Sequence, residues 1–410
     1  MKEPWISDKW WVSYLNFLDE VRADLKLPEK VTIHDITLRD GEQQAGVVFN
    51  KKDKIEIAIM LDELGVHRIE AGMPAVSADD KEAVKTIAHT GLNAKIFAFA
   101  RCMKRDVDLA LECDVDGVAM EIPSSEHIIK YAYDWPLEKA IALSIEATRY
   151  AADHGLHVAF FTIDSTRANL DWWFQIINNV ASKGHMDSLV LVDTFGVCTP
   201  EAIRYFTRKA REKISKPIEA HFHNDFGLAT ANALAAVSEG AEVVHTTVNG
   251  IGERMGNSDL AEVALSLEAL YGVKVGLKYD KLYKLSKLVE KLSGIRMPPH
   301  KPVVGDNIYK TESGIVAGWW FNLQKVKKPL VMYPYSWELI GQKGVELVLG
   351  KKSGRDSVIS RLKNIGIDPS TVDVDKVLEH VKEESIKRKS PISDDVLKRI
   401  VNEILDARKV

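Results

Sequence analysis

The chain has 410 residues, 46% of them hydrophobic and 28% charged, with a formal net charge of -4. That balance is ordinary for a globular protein and excludes a disordered or fibrous one. No Lys/Arg block, signal-like n-region or run near 18 apolar residues occurs, so neither nucleic acid nor a membrane is an expected partner. The three cysteines, Cys102, Cys113 and Cys198, are scattered and form no CxxC pair, which predicts reduced thiols in a cytoplasmic protein.

Residues 1–30 carry Trp5, Trp10, Trp11, Tyr14, Leu15 and Leu18, a pattern that predicts a helical extension with an aromatic face. Strand-like and helix-like segments then alternate over 31–275. Strands are expected at Val31–Leu38, Arg68–Gly72, Lys95–Arg101, Gly117–Ile122, His157–Asp164, Ser188–Thr194, Ile218–Asn224 and Val243–Asn249. Ile57, Leu61 and Leu64 lie on one helical face. Glycines at 65, 91, 155, 184 and 240 stand where helices are expected to end in a left-handed turn. Eight βα repeats predict a parallel (β/α)8 TIM barrel, an α/β fold, as the catalytic domain. An open doubly wound sheet is the rival. It would favour a glycine-rich phosphate turn after the first strand, and Leu38-Arg39-Asp40-Gly41-Glu42-Gln43 is not one. A helix over Tyr279–Leu292, the joint Met297-Pro298-Pro299-His300-Lys301-Pro302 and a charged helical tail predict a C-terminal helical or mixed subdomain over 276–410.

Active sites of such barrels lie at the C-terminal ends of the strands. Arg39 and Asp40 follow the first strand, Glu70 ends the second, and Arg101 ends the third. Asp164, Thr166 and Arg167 end the fifth, Asp193 and Thr194 the sixth, and His221 and His223 the seventh. Residues i and i+2 of a strand share a face, so these two imidazoles stand side by side. Together with a carboxylate and an amide they are a mixed O/N set for a divalent cation such as Mg, Mn, Zn or Co. Taken alone, the pair reads first as polar residues finishing a strand.

Thr37 through Gln43, His221-Phe222-His223-Asn224-Asp225 and Asn249 through Asn257 resemble the DRE-TIM metallolyase superfamily. Its members include 2-isopropylmalate, homocitrate and citramalate synthases and HMG-CoA lyase. Lys301 through Gly305 and Leu349 through Arg355 are more loosely similar to the synthase branch. The resemblance implies that Asp40, His221, His223 and Asn257 bind a divalent metal. It implies that Arg39 contacts the substrate oxygen that becomes negative and acts in catalysis, and that Thr194 holds a substrate carboxylate. The implied reaction is a Claisen-type condensation of an acyl-CoA with a 2-oxo acid by an acyltransferase. The same resemblance, with the surplus of tryptophan, implies a homodimer or higher homo-oligomer.

Three departures keep alternatives open. Ile163 stands where many synthases have glutamate. Thr311-Glu312-Ser313-Gly314-Ile315-Val316 has lost both histidines of a His-x-Ser-Gly-Ile-His motif. The lyase's catalytic cysteine is absent from Gly250–Asn257. Glu312, Tyr333 or Tyr335 is a candidate replacement base, although each reads first as a surface or packing residue. A carbon–carbon lyase or aldolase, and a non-catalytic homologue that binds metal and ligand, remain the rival functions.

Overall fold

The computed structural model describes residues 3–407. The chain divides into two compact units, one of Ser13–Met297 and the other of Met1–Val12 with Pro298–Val410.

The first unit is a closed barrel of parallel strands in sequence order, β1 (Thr32–Asp35), β2 (Arg68–Glu70), β3 (Lys95–Arg101), β4 (Gly117–Pro123), β5 (His157–Ile163), β6 (Ser188–Asp193), β7 (Ile218–Phe222) and β8 (Val243–Thr246). β1 closes on β8 with Thr32 opposite Val243 and Asp35 opposite Thr246. All eight strands stand where the alternation placed them. β1 is shorter than expected, because the chain turns at Ile36, whose carbonyl accepts from the amides of Arg39 (3.2 Å) and Gly41 (3.1 Å). That turn delivers Arg39 and Asp40 to the barrel mouth.

The helix Lys51–Leu64 begins at a capping box, in which the Asn50 side chain accepts from the Asp53 amide and Asp53 reciprocates. It ends at Gly65, with φ of 95°, and buries Ile57, Leu61 and Leu64. Gly184 differs from the expected left-handed stop, since its φ is -95°. There the glycine is needed for space, because a Cβ would lie 2.8 Å from Thr148 Oγ1.

β3 to β6 line their side of the barrel with Phe99, Ala119, Ala159, Phe161, Val190 and Val192. The barrel unit continues past residue 275 because the helix Leu282–Ser293 packs on it. That helix buries Leu285 and Val289, and the Ser286 carbonyl accepts from Asn249 Nδ2 at 2.9 Å.

The expected N-terminal helix with an aromatic face does not form. Ser7 makes a turn by accepting from the amides of Lys9 and Trp10. The chain then runs extended, with the Trp11 amide bonded to the Pro334 carbonyl at 2.9 Å. Only a 3-10 turn, Tyr14–Phe17, and one helical turn, Asp19–Arg22, follow. Polar caps at Ser7 and Ser13 break the segment before three helical turns accumulate.

The second unit has a short two-stranded sheet, β9 (Lys310–Thr311) and β10 (Glu346–Leu347). Its helices include Gly314–Val326, Arg355–Asn364, Val374–Arg388 and Asp394–Asp406. The last three close a core of Val358, Leu362, Val377, Val381, Leu397, Ile400 and Val401. Among the described residues no helix is long and apolar enough to cross a membrane.

Lys54 is 1% exposed and pairs with Glu42 (2.7 Å) and Asp80 (2.6 Å). Glu42 in turn accepts from the Phe49 amide at 2.7 Å, so the buried ammonium ties the loop after β1 to the outer helices. Replacing Lys54 with methionine leaves two carboxylates unpaired. A loss of about 3 kcal/mol in unfolding free energy is expected, read by denaturant titration.

Candidate metal centre

β7 ends at Phe222, so His221 lies on the strand and His223 just past it, and both continue the inward alternation. Their Nε2 atoms are 3.4 Å apart. Asp40 Oδ2 lies 3.7 Å from His221 Nε2 and 3.9 Å from His223 Nε2. All three side chains are buried. Bonds of about 2.1 Å to one ion put neighbouring ligands roughly 3–3.5 Å apart. The three atoms therefore converge with nearly the right edges. The His223 Nδ1–H donates to the Gly256 carbonyl at 3.2 Å, which leaves Nε2 as a bare lone pair facing the site.

Asn257 is the fourth residue brought here. Its Nδ2 donates to Asp40 Oδ1 at 2.7 Å, while its Oδ1 is buried without a partner. That orphaned acceptor and the facing imidazole lone pairs fit a bound cation. The loop that delivers Asn257 depends on glycine. At Gly252 (φ of 154°) a Cβ would strike the Asn257 amide and lie 2.8 Å from Asp40 Oδ1.

The electrostatics agree with the geometry. Burial, then the neighbouring His223 and His245, drives the His221 imidazolium well below its ordinary pKa, so the ring is neutral. Burial alone would raise the Asp40 carboxyl. Arg39, His223 and the Asn257 amide outweigh it and hold Asp40 below the usual carboxylate range.

Arg39 is clamped on nearly every side. Its Nε donates to Glu70, and its Nη1 donates to Asp40 (2.8 Å) and Gln43 (3.0 Å). The guanidinium carbon lies 3.8 Å over the Phe99 ring. Nη2 is buried and has no partner. One oriented donor is thus left for a ligand oxygen beside the metal triad.

Of the remaining expected site residues, Thr194 follows β6 beside His223, while Glu312 lies in the second unit. The Thr194 hydroxyl accepts from the Asp164 amide at 2.7 Å, and its carbonyl accepts from Arg254. Arg254 also pairs with Asp225 at 3.0 Å, so the Glu253–Arg254 loop is braced from within. Glu312 belongs to the second unit, where Oε1 accepts from the Lys352 amide at 3.0 Å and the side chain packs under Gly350. Thr311 and Val316 line an apolar cavity of about 620 Å³ there with Trp319, Leu323, Met332 and Tyr333. The Tyr333 hydroxyl is 3.2 Å from that of Thr311, and the Tyr335 carbonyl accepts from the Tyr309 hydroxyl at 3.0 Å.

The structure adds two clusters that the sequence reading did not assemble. Below the triad, His34, Glu219 and His245 are fully enclosed, with His245 Nε2 2.7 Å from Glu219 and Arg68 2.8 Å from the same carboxylate. At the mouth, Asp164 collects Ser125 (2.6 Å), His127 (2.8 Å) and Arg167 (2.7 Å). The i, i+2 spacing of Glu219 with His221 was the available signal for the first. The second joins two loops, those after β4 and β5, and the pairing between them left none.

Three outcomes test the centre. His223→Ala is expected to lose most bound divalent metal, read by elemental analysis of the purified protein. In the unsubstituted protein, metal content should fall as pH falls, because a protonated imidazole has no lone pair to offer. Gly252→Ala should lower metal content although it removes no ligand, because its Cβ displaces Asn257 and Asp40.

The HMGL-like family pattern matches residues 30–289. The chain is 41% identical over 392 residues to a homocitrate synthase (AksA) of Methanopyrus kandleri, covering 96% of this chain and 97% of the relative. It is 42% identical over 391 residues to a probable 2-isopropylmalate synthase of Ignicoccus hospitalis, covering 93% and 94%. It is 40% identical over 375 residues to the (R)-citramalate synthase CimA of Methanocaldococcus jannaschii, covering 91% and 74%. In fold it is similar to the crystal structure of an HMG-CoA lyase from Bacillus subtilis, with a TM-score of 0.61 at 21% identity over 66% of this chain and 96% of the lyase. The barrel, its order of strands and these matches together place the chain in the HMGL-like family.

Proposed function

We propose that this protein is a divalent-metal-dependent acyltransferase that condenses an acyl-CoA with a 2-oxo acid, of the homocitrate, 2-isopropylmalate or citramalate synthase kind. The observation that carries the reading is the buried Asp40–His221–His223 triad beside an Arg39 with one uncommitted donor. The named relatives, at about 40% identity along nearly the whole chain, support a synthase over the lyase. Asp40, His221 and His223 would hold the ion, with Asn257 securing Asp40 and offering Oδ1 as a further oxygen. The cation, of the Mg, Mn, Zn or Co class, supplies Lewis-acid polarisation of a 2-oxo group.

The chain's own residues do the rest. Glu70, Asp40 and Gln43 fix the Arg39 plane before substrate arrives, and Nη2 then donates to the oxygen that gains charge. A donor oriented in advance needs little reorganisation during the reaction. Thr194, at the end of β6, is proposed to hold a substrate carboxylate. Phe99 and Phe161 form an apolar wall that keeps water from the guanidinium.

We also propose a homodimer in the cytoplasm. Ile315 (73% exposed), Trp319 (58%) and Val326 (59%) form an apolar stripe along the helix Gly314–Val326, suited to a second copy. Trp320 is not part of it, because it packs internally against Tyr333 and Trp337. Three free cysteines are consistent with a reducing compartment.

Thiol release from acetyl-CoA across a panel of 2-oxo acids tests the activity, and the absence of turnover with every pair would refute it. Arg39→Lys should keep bound metal yet lose about 10²–10³ in kcat, since lysine cannot fill the planar clamp and still present a fixed donor. Light scattering at micromolar concentration should give twice the chain mass, and Trp319→Glu should return the protein to a monomer.

A further inference from the structure

β4 carries an acidic side chain on the inner wall of the barrel. Ala119 on that strand packs inside with Phe99, Ala159 and Phe161, and Glu121, two residues on, shares its face. In register, Glu121 sits between Arg101 on β3 and Phe161 on β5. Strands of such a barrel climb by about one residue each. That stagger brings Glu121 level with His221 and His223, on the opposite side of the mouth.

The two cationic neighbours of this carboxylate donate to other acceptors. Arg39 is held by Glu70, Asp40 and Gln43, and Arg101 is held by Asp106 at 2.8 and 2.9 Å. The charged and titratable groups facing it are Arg39, Arg101, Asp106, Glu70 and Tyr133. No described residue donates a hydrogen bond to the Glu121 side chain. Burial pushes its carboxyl up, with Arg39 and Arg101 offsetting part of the rise.

Position 163 gives this meaning. Ile163 packs against the same inner apolar cluster, so the β5 site where many synthases have glutamate offers no proton acceptor. It pairs in register with Pro123, and Glu121 is the preceding inward residue of that neighbouring strand. The carboxylate missing from β5 therefore has a counterpart on β4, facing the metal triad across the mouth.

We propose that Glu121 is the proton acceptor for the carbon acid in this site. The inference rests on the condensation reading above. The Glu121 carboxylate takes one proton from the carbon next to the thioester, and the C–H electron pair becomes the enolate. That carbon forms the new bond to the 2-oxo carbon, whose carbonyl π pair moves onto oxygen beside Arg39 Nη2. The resulting alkoxide takes back one proton to become a hydroxyl, and water then cleaves the thioester to a carboxylate and free thiol.

The experiment compares metal-loaded wild type, Glu121→Gln, Glu121→Asp and Glu121→Gln/Ile163→Glu. Readouts are thiol release, deuterium exchange into the acetyl group of acetyl-CoA in heavy water, metal content, and KM for the 2-oxo acid. Glu121→Gln is expected to lose about 10²–10⁴ in kcat together with deuterium exchange. Its metal content and KM should be unchanged, and the acid limb of its kcat profile should vanish. The aspartate variant and the double variant should recover part of the rate. A Glu121→Gln enzyme that turns over within about threefold of wild type overturns the assignment. So does one whose defect lies only in KM, which would make Glu121 a substrate contact, or only in metal content. A wild-type enzyme inactive with every substrate pair overturns the condensation reading, and this inference with it.

Discussion

One carboxylate, Asp40, is shared among a guanidinium, an amide and two imidazoles in a buried site. Much of the barrel mouth follows from that arrangement. A buried anion is tolerated only when its charge is balanced and its lone pairs are occupied. Arg39 supplies a positive charge, but Glu70 consumes part of its field. The uncompensated negative charge and the facing imidazole lone pairs together make a cation the natural occupant. The glycines of the loop after β8 serve the same end, because only a backbone without Cβ lets Asn257 reach Asp40.

The inner wall is divided by side. β3 to β6 contribute mainly aromatic and aliphatic groups, as barrel interiors usually do. β7, β8, β1 and β2 contribute His34, Arg68, Glu70, Glu219, His221 and His245 instead. The polar half descends below the metal triad, where Glu219 satisfies Arg68, Ser188 and His245 together. Burial pushes His34 down to about 4, with His245 adding to the effect, so the network stays neutral at that ring. Substrate chemistry thus has a charged side to polarise an oxygen and an apolar side to exclude water. Glu121, beside Arg101, is a carboxylate on the otherwise mainly apolar side, and that position gives it chemical interest.

The second unit accounts for a framework that outlived its histidines. Gly314 and Gly354 pack backbone against backbone, and a Cβ at Gly314 would lie 2.8 Å from Gly354. The Ser313-Gly314 segment is therefore required by packing, whatever stands at 311 and 316. Glu312 is drawn into the same contact, bonded to the Lys352 amide. With Thr311 and Val316 lining an apolar cavity, this segment has exchanged imidazole for a greasy surface.

The order of strands, the closure of the barrel and the shared face of His221 and His223 were legible in the sequence. These features rest on local rules: a period of two along strands, a period near 3.6 along helices, and the location of strand ends at one mouth. The family resemblance added the implied ligand roles of Asp40, His221, His223 and Asn257, and the role of Arg39, through three contiguous motifs. Failure came where local rules compete or where partners are distant in the chain. Aromatic spacing over Trp5–Leu18 resembled a helix, but serine-capped turns and pairing with Pro334 prevailed. Glu121 was one acidic residue in an apolar strand, and only the stagger of the closed barrel sets it opposite His221 and His223. The sequence by itself determined which side chains each strand end could offer. Only the tertiary structure decided which of them face one another, because barrel closure and burial set those distances and charges across segments far apart in the chain.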